Sequence, residues 1–252
     1  MLTVDLYFRK SQSRILKGKW IKQISYSLCL VLVFGTAIAY SAESDLMETL
    51  HPAVKQAVAE FNQIPNDRTA VLKDAALFLA DRRHKQQPVT LTFICTHNSR
   101  RSHIAQLWCQ AAAVYYGLTN ITTYSGGTEV VACNPRTVRA MRRAGFSIVT
   151  LIPGTNAVYL AQYSENGTPV KLFSKLYNAE DNPKQDYVAL FCCSQADASC
   201  PTVTGSIRRV SIPYTDPKLS DGSPQEKENY DKCSRQIARE MFFLMAQVRA
   251  KL

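Results

Sequence analysis

Residues 92–103, Thr-Phe-Ile-Cys-Thr-His-Asn-Ser-Arg-Arg-Ser-His, constrain this chain more than any other stretch. An apolar run ends in Cys95, Arg101 follows six residues later with Ser102 behind it, and a helical pattern begins at once. Strand, cysteine-bearing loop and helix, in that order, are what a sulfur nucleophile needs when its substrate is an oxyanion. Backbone N–H groups at a helix start converge on the loop and hold the oxygens of a tetrahedral anion. Thiols in such a field ionise more readily, and the thiolate is the nucleophilic form. Arg101 carries a planar fork that can meet two oxygens of one anion. Cys95 is therefore the candidate nucleophile, and Thr96, His97, Asn98, Ser99, Arg100 and Ser102 form the candidate anion loop around Arg101. A buried cysteine that merely closes a core strand beside a surface arginine would not need this spacing, Ser102 and the strand-to-helix switch together.

The surrounding pattern sets the fold. After Ser102, apolar positions Ile104, Leu107, Trp108, Ala111, Ala112 and Tyr115 recur at helical spacing, and Gly117 ends the run. Strands are expected at 89–94, 121–124, 187–192 and 210–212. Asn134 caps a helix with Pro135 at its first position, running through Val138, Met141 and Ala144 to Gly145. A final helix spans 226–249 with Ile237, Met241, Leu244, Met245 and Val248 inward. Residues 150–183, rich in Pro, Gly, Asn and Ser, read as a long excursion over the surface. Strands alternating with helices give an α/β three-layer sandwich: a four-stranded parallel sheet with helices on both faces. Its active site belongs beyond the strand carboxyl ends, where the Cys95 loop falls.

Two segments precede this domain, which is placed at residues 88–252. Residues 43–87 read as a helical hairpin, a packing appendage without catalytic residues. Its first helix carries Leu46, Leu50, Val54, Val58 and Phe61, and Pro65-Asn66-Asp67 breaks it. The second carries Val71, Leu72, Ala75, Ala76, Leu79 and Ala80. Residues 1–42 read as a signal peptide or N-terminal anchor: basic residues from Lys17 to Lys22, an apolar stretch over 28–39, then small residues around Ala39 and Ala42. This points to an exported, periplasmic or membrane-attached protein that meets the membrane only through that segment. A cytoplasmic protein with its start placed too far upstream is the alternative. The formal charge of +10 looks at first like a nucleic-acid signal. Arg9, Lys10, Arg14, Lys17, Lys19 and Lys22 against Asp5 alone put half of it in the first 39 residues, and the rest is dispersed. No nucleic-acid partner is expected, and a mildly basic surface suits a small anion. Without Cys29 in the leader seven cysteines remain, an odd set that suggests reactive or buried thiols rather than a disulfide framework.

Two further constellations bear on the chemistry. Cys193 and Cys200 lie seven residues apart, beside Cys192 and ahead of Pro201. On a helix they would stand about 10 Å apart along the axis, and a disulfide needs Cα atoms within about 7 Å. They pair only if the segment unwinds, which would make it a redox switch; two unrelated buried cysteines are the plainer reading. No histidine lies near and the spacing is wrong for zinc, so no metal site is expected. Asp216, ahead of Pro217 and past the fourth strand, hangs over the same sheet edge as Cys95. A carboxylic acid there could protonate a departing oxygen, although an ordinary Asp-Pro turn has the same sequence.

Together these motifs resemble the low-molecular-weight protein tyrosine phosphatase superfamily. The resemblance covers residues 89 to about 250. It rests on Cys95-x5-Arg101-Ser102, on Asn98-Ser99, on Ser125-x-Gly127-x-Glu129, on Asn134-Pro135-Arg136 and on Asp216-Pro217. Cys193-Ser194-x-Ala196-Asp197-x-x-Cys200-Pro201 narrows it to the thioredoxin-coupled arsenate reductase branch. The resemblance implies that Cys95 attacks arsenate held by the loop, with Asn98, Arg101 and Ser102 in support and Asp216 donating a proton. Cys193 then displaces arsenite, and Cys200 carries the oxidised pair to a thioredoxin-like reductant, with no bound cofactor. The same superfamily implies a second reading, hydrolysis of phosphotyrosine protein or a small phosphate ester through a phosphocysteine. A non-catalytic oxyanion or redox sensor is the third. Departures from the pattern are His97 for a small residue, Arg100 for cysteine, and Gln106 where the reductases place a glutamate associated with potassium. His97 and Arg100 are expected to bring positive charge to the loop. His103, Cys192, Cys109, Cys133 and Cys233 read as packing residues.

Overall fold

The structure, a computed structural model, describes residues 45–200 and 202–252. The expected leader over residues 1–42 lies outside them. In chain order come helices α1 (His51–Ala59) and α2 (Asn66–His84), strand β1 (Val89–Cys95), helix α3 (Arg101–Tyr115), strand β2 (Ile121–Gly127) and helix α4 (Pro135–Arg143). Strands β3 (Ser147–Ile152), β4 (Val158–Gln162), β5 (Val170–Leu172) and β6 (Tyr187–Phe191) follow, then helix α5 (Ser194–Ser199), strand β7 (Ser206–Ser211) and helix α6 (Glu226–Arg249).

The α/β fold is the one expected, with a four-stranded parallel sheet in the order β2-β1-β6-β7. Its register explains the site. Ile94 lies opposite Phe191, and Phe191 opposite Ser211. The ladder runs on past the strands: Cys192 N–H donates to Ile94 O (2.7 Å), Ile212 N–H to Phe191 O (2.9 Å) and Tyr214 N–H to Cys192 O (3.0 Å). Parallel strands in register discharge their following loops at one edge. The segments carrying Thr96, Cys193 and Asp216 therefore leave the sheet side by side.

Residues 150–183 are not the surface excursion expected. They contribute most of a second, antiparallel sheet in the order β3-β4-β5. Strand β3 buries Ile148 alone and exposes Val149, Leu151 and Ile152, so it lacks the two-residue alternation that marks a strand with one core face.

Helix α6 buries Ile237, Met241, Leu244, Met245 and Val248 and packs on α1, α2, α3 and α4. Leu50 and Val54 around α1 and Leu72 and Leu79 on α2 join the same apolar cluster as the sheet. The first hairpin helix is shorter than its pattern suggests. Pro52 sits in the first turn of α1, where a residue without an N–H is tolerated, and Glu48–Leu50 and Phe61–Gln63 are separate 3₁₀ turns. On α2 the buried stripe leaves Val71 37 % exposed, at its edge. No helix among the described residues is long and apolar enough to cross a membrane.

Candidate active site

The loop after β1 closes at Arg100, the residue that precedes α3. Among the described residues, no acceptor meets the backbone N–H groups from His97 to Ser102. That is the disposition of an anion nest at a helix start. Asn98 adopts φ +43°, a left-handed conformation that asparagine tolerates better than most L-residues. Its buried Oδ1 accepts Lys175 N–H (3.1 Å), and its Nδ2 donates to Ser102 Oγ (2.9 Å). An amide nitrogen only donates, so Ser102 accepts there and its own proton is left for the Cys95 sulfur, 3.1 Å away. One buried chain thus aims a hydroxyl donor at the candidate nucleophile.

Other contacts hold the loop from outside. Thr96 O accepts Glu129 N–H (2.8 Å) and the Thr128 hydroxyl (3.2 Å). The Ser99 hydroxyl donates to Ala132 O (2.6 Å), and Ser99 O accepts Asn134 N–H (3.0 Å). Gly127 lies hard against the turn. A Cβ there would come within 2.5–2.8 Å of Glu129 O, Thr96 O and Asn98 N. The side chains of His97 and Arg100 are paired on the flanks of the loop. His97 pairs with Glu129 (3.1 Å), while Arg100 pairs with Asp221 (3.4 Å) and donates to Tyr230 OH (2.9 Å). Each side chain finds a carboxylate partner on the flank of the loop.

Arg101 and Asp216 meet directly. Arg101 Nη2 donates to Asp216 Oδ2 (2.6 Å) and Nη1 to Tyr214 O (2.9 Å). The fork expected to face the anion is therefore occupied, while the buried Nε has no partner and remains a donor for an oxyanion. An anion entering the loop competes with Asp216 for this guanidinium. Asp216 Oδ1 also accepts Lys218 N–H (3.0 Å), which seats it at the start of the Pro217–Ser220 turn.

All seven cysteines among the described residues are free. The Cys193 sulfur lies 3.5 Å from Thr96 Oγ1, one residue from Cys95, and accepts Ala196 N–H (3.4 Å) as the cap of α5. Cys200 ends that six-residue helix and is half-buried. Arg209 on β7 clamps its far end. It donates to Cys200 O and to the Asp197 carbonyl and carboxylate, and lies 4.0 Å from the centroid of Phe191. Cys192 is fully buried, and burial holds its thiol well above the ordinary range, so it stays protonated. The same cause raises the Cys109 thiol and pushes Cys133 and Cys233 up to about 12.

Sequence reasoning missed the residues behind the site. Ser174 Oγ donates to His97 O (2.8 Å), and Lys175 N–H holds Asn98, both from the segment after β5. Arg68, on α2, donates to Pro213 O, lies 5.3 Å from the Tyr214 centroid and pairs with buried Glu240 (3.5 Å). The hairpin thereby braces the segment that carries Asp216. No local motif announces any of these, since each partner is dozens of residues away. His103 is fully buried with Nδ1 3.1 Å from Ser125 Oγ, and burial, reinforced by Lys175, pushes its pKa down to about 3. It is neutral.

No model of a protein family matches the chain. Arsenate reductase from Bacillus licheniformis is 31 % identical over 138 residues, which are 55 % of this chain and 81 % of that protein. Arsenate reductase from Brevibacillus brevis is 30 % identical over 128 residues, 51 % of this chain and 76 % of its own. Among solved structures, an arsenate reductase in the phosphate-binding state aligns with 64 % of this chain and 98 % of its own, at 18 % identity and a TM-score of 0.41.

Proposed function

Since this chain belongs to the arsenate reductase family, cysteine-dependent enzymes of the low-molecular-weight phosphatase superfamily, we propose that it reduces arsenate to arsenite by a relay of three cysteines. One observation carries the reading: the Cys193 sulfur stands against the loop at Thr96, and Cys200 closes the other end of the same short helix.

In this mechanism the loop N–H groups and Arg101 Nε hold arsenate while the Cys95 sulfur, hydrogen-bonded by Ser102, attacks arsenic(V). One arsenate oxygen leaves as water, and Asp216 is the candidate proton donor. The Cys193 sulfur then attacks the Cys95 sulfur. The arsenic–sulfur bond breaks with its electron pair left on arsenic, which departs as arsenite, and a disulfide joins Cys95 to Cys193. Cys200 next attacks Cys193, so the disulfide moves to that pair and Cys95 is released. A thioredoxin-like dithiol closes the cycle by supplying the two electrons that left on arsenic. A helical rise of ~1.5 Å per residue keeps Cys193 and Cys200 about 10 Å apart while α5 is intact. Their disulfide needs about 7 Å or less. Oxidation must therefore unwind α5 and free it from Arg209.

Hydrolysis of a phosphate ester is the second reading, because Cys95, Arg101 and Asp216 suffice for it. The two are separated by measuring arsenate-dependent oxidation of thioredoxin and hydrolysis of an aryl phosphate in wild type, Cys193→Ser and Cys200→Ser. The relay expects the first activity in wild type and its loss in both variants. Undiminished dithiol oxidation in either variant contradicts the relay. Aryl phosphate turnover equal in all three, without arsenate-dependent oxidation, establishes the second reading.

A further inference from the structure

A cavity of about 460 Å³ opens behind the loop, between α3, the edge strand β2 and the segment around β5. It plays no part in the chemistry above. Lys175 lines it at 6 % exposure, its ammonium 4.6 Å from the Phe173 ring centroid. Among the described residues no hydrogen bond or ion pair holds that ammonium. Asp181, the carboxylate that acts on it, is paired with Lys171 at 3.5 Å. Gln106, 4 % exposed, lines the same cavity. Its Nε2 donates to Thr123 O (2.9 Å), which fixes the amide and leaves Oε1 buried without a donor.

A largely buried lysine with no direct ion pair, and a buried acceptor without a donor, are each costly. Together they match one kind of molecule, an anion that also carries an O–H or N–H. We propose that this cavity binds a small hydroxy- or amino-carboxylate, with its carboxylate on Lys175 and its donor on Gln106 Oε1. The volume falls within the range of about 300–1,000 Å³ usual for small-molecule pockets. Phe173, Tyr124 and Tyr163 supply the apolar wall that such sites need. The backbone N–H of Lys175 anchors Asn98, so the bound molecule sits one residue behind the support of the catalytic loop.

The charge of the ammonium sets a pH window. Burial pushes its pKa down to about 8, with Asp181 opposing the shift and Lys171 adding to it. His103 and Cys133, which also act on Lys175 electrostatically, are neutral near pH 7, as is Tyr163 in the wall, whose hydroxyl burial pushes up. Carboxylate affinity should therefore fall as pH rises through 8.

The test is a titration of the full chain with lactate, followed by amide NMR at Gln106, Lys175 and Asn98. Acetate, which lacks the hydroxyl, and propane-1,2-diol, which lacks the charge, are the comparisons. Lactate should shift those three residues and bind more tightly than acetate, and the diol should not bind. Lys175→Met, which keeps the length of the side chain, should weaken lactate at least tenfold, and Gln106→Leu should remove its advantage over acetate. Should Lys175→Met fail to fold, wild type decides at pH 6.5 against pH 9.5, where at least a tenfold loss is expected. Lactate that shifts only residues 95–101, or that binds Lys175→Met or pH 9.5 protein as well as wild type at pH 6.5, overturns the proposal.

Discussion

Replacing Asn98 with alanine tests the hydrogen-bond chain that ends on Cys95, the proposed nucleophile. The change deletes the acceptor of Lys175 N–H and the donor to Ser102 Oγ, both fully buried. An unsatisfied buried N–H costs about 1–3 kcal/mol. Alanine at φ +43° adds roughly 1–2 kcal/mol, since it lacks the tolerance of asparagine for the left-handed region. A loss of roughly 2–5 kcal/mol is expected from a total of about 5–15 kcal/mol, so the variant should fold with reduced stability. Catalysis should suffer separately. Ser102 is free to turn once Asn98 no longer donates to it, and the sulfur loses an aligned donor. A hydrogen bond to a charged group contributes about 1.5–3 kcal/mol, which is roughly a 10- to 150-fold loss in kcat/KM. Ser102→Ala should lose a similar factor in rate. The double variant should be no slower than the slower single one, because both changes remove one donor. Arsenate-dependent dithiol oxidation and urea unfolding of the three variants supply the numbers. A normal rate in Asn98→Ala, or losses that multiply in the double variant, would refute the chain.

Other expectations follow from the same geometry. Gly127→Ala drives a methyl group into the backbone at Thr96, Asn98 and Glu129, and should cost about 1–3 kcal/mol and abolish phosphate binding measured by calorimetry. His103 is held at about 3 in the fold against 6.5 for the free side chain. The unfolded chain therefore takes up the proton first as pH falls below 6.5, and stability drops by ~1.4 kcal/mol per pH unit from there towards 3. His103→Gln should flatten this slope in urea unfolding between pH 6 and 4. Arg68→Met leaves Glu240 buried without its cation and Pro213 O without its donor, so a loss of roughly 3–5 kcal/mol and faster hydrogen exchange at Tyr214 are expected.

What was legible in the sequence is what short-range patterns encode. The strand–cysteine–helix switch is local, so β1, the loop and α3 follow from residues 89–115. Helix α4 was readable from the Asn134 cap, whose side chain does accept Arg136 N–H, and α6 from its continuous apolar stripe. Parallel pairing then placed Cys193 and Asp216 on the same edge as Cys95. The antiparallel sheet was not legible, because Val149, Leu151 and Ile152 face outward and the turn residues between short strands look like loop. The occupancy of Arg101 was also hidden. A guanidinium beside an anion loop meets whichever carboxylate the tertiary fold brings to it, and Asp216 lies 115 residues away. Lys175 and Arg68 escaped for the same reason: their roles come from contacts 77 and 145 residues distant, with no spacing rule to expose them.

The relay itself is tested most directly by a single exposure of reduced Cys200→Ser protein to arsenate, followed by acid quench, alkylation of free thiols and peptide mapping. A disulfide between Cys95 and Cys193 is expected, formed in proportion to arsenite released, at one equivalent per chain and no further. Arsenite released beyond one equivalent, or a Cys193 that remains fully alkylatable after arsenite has appeared, would contradict it.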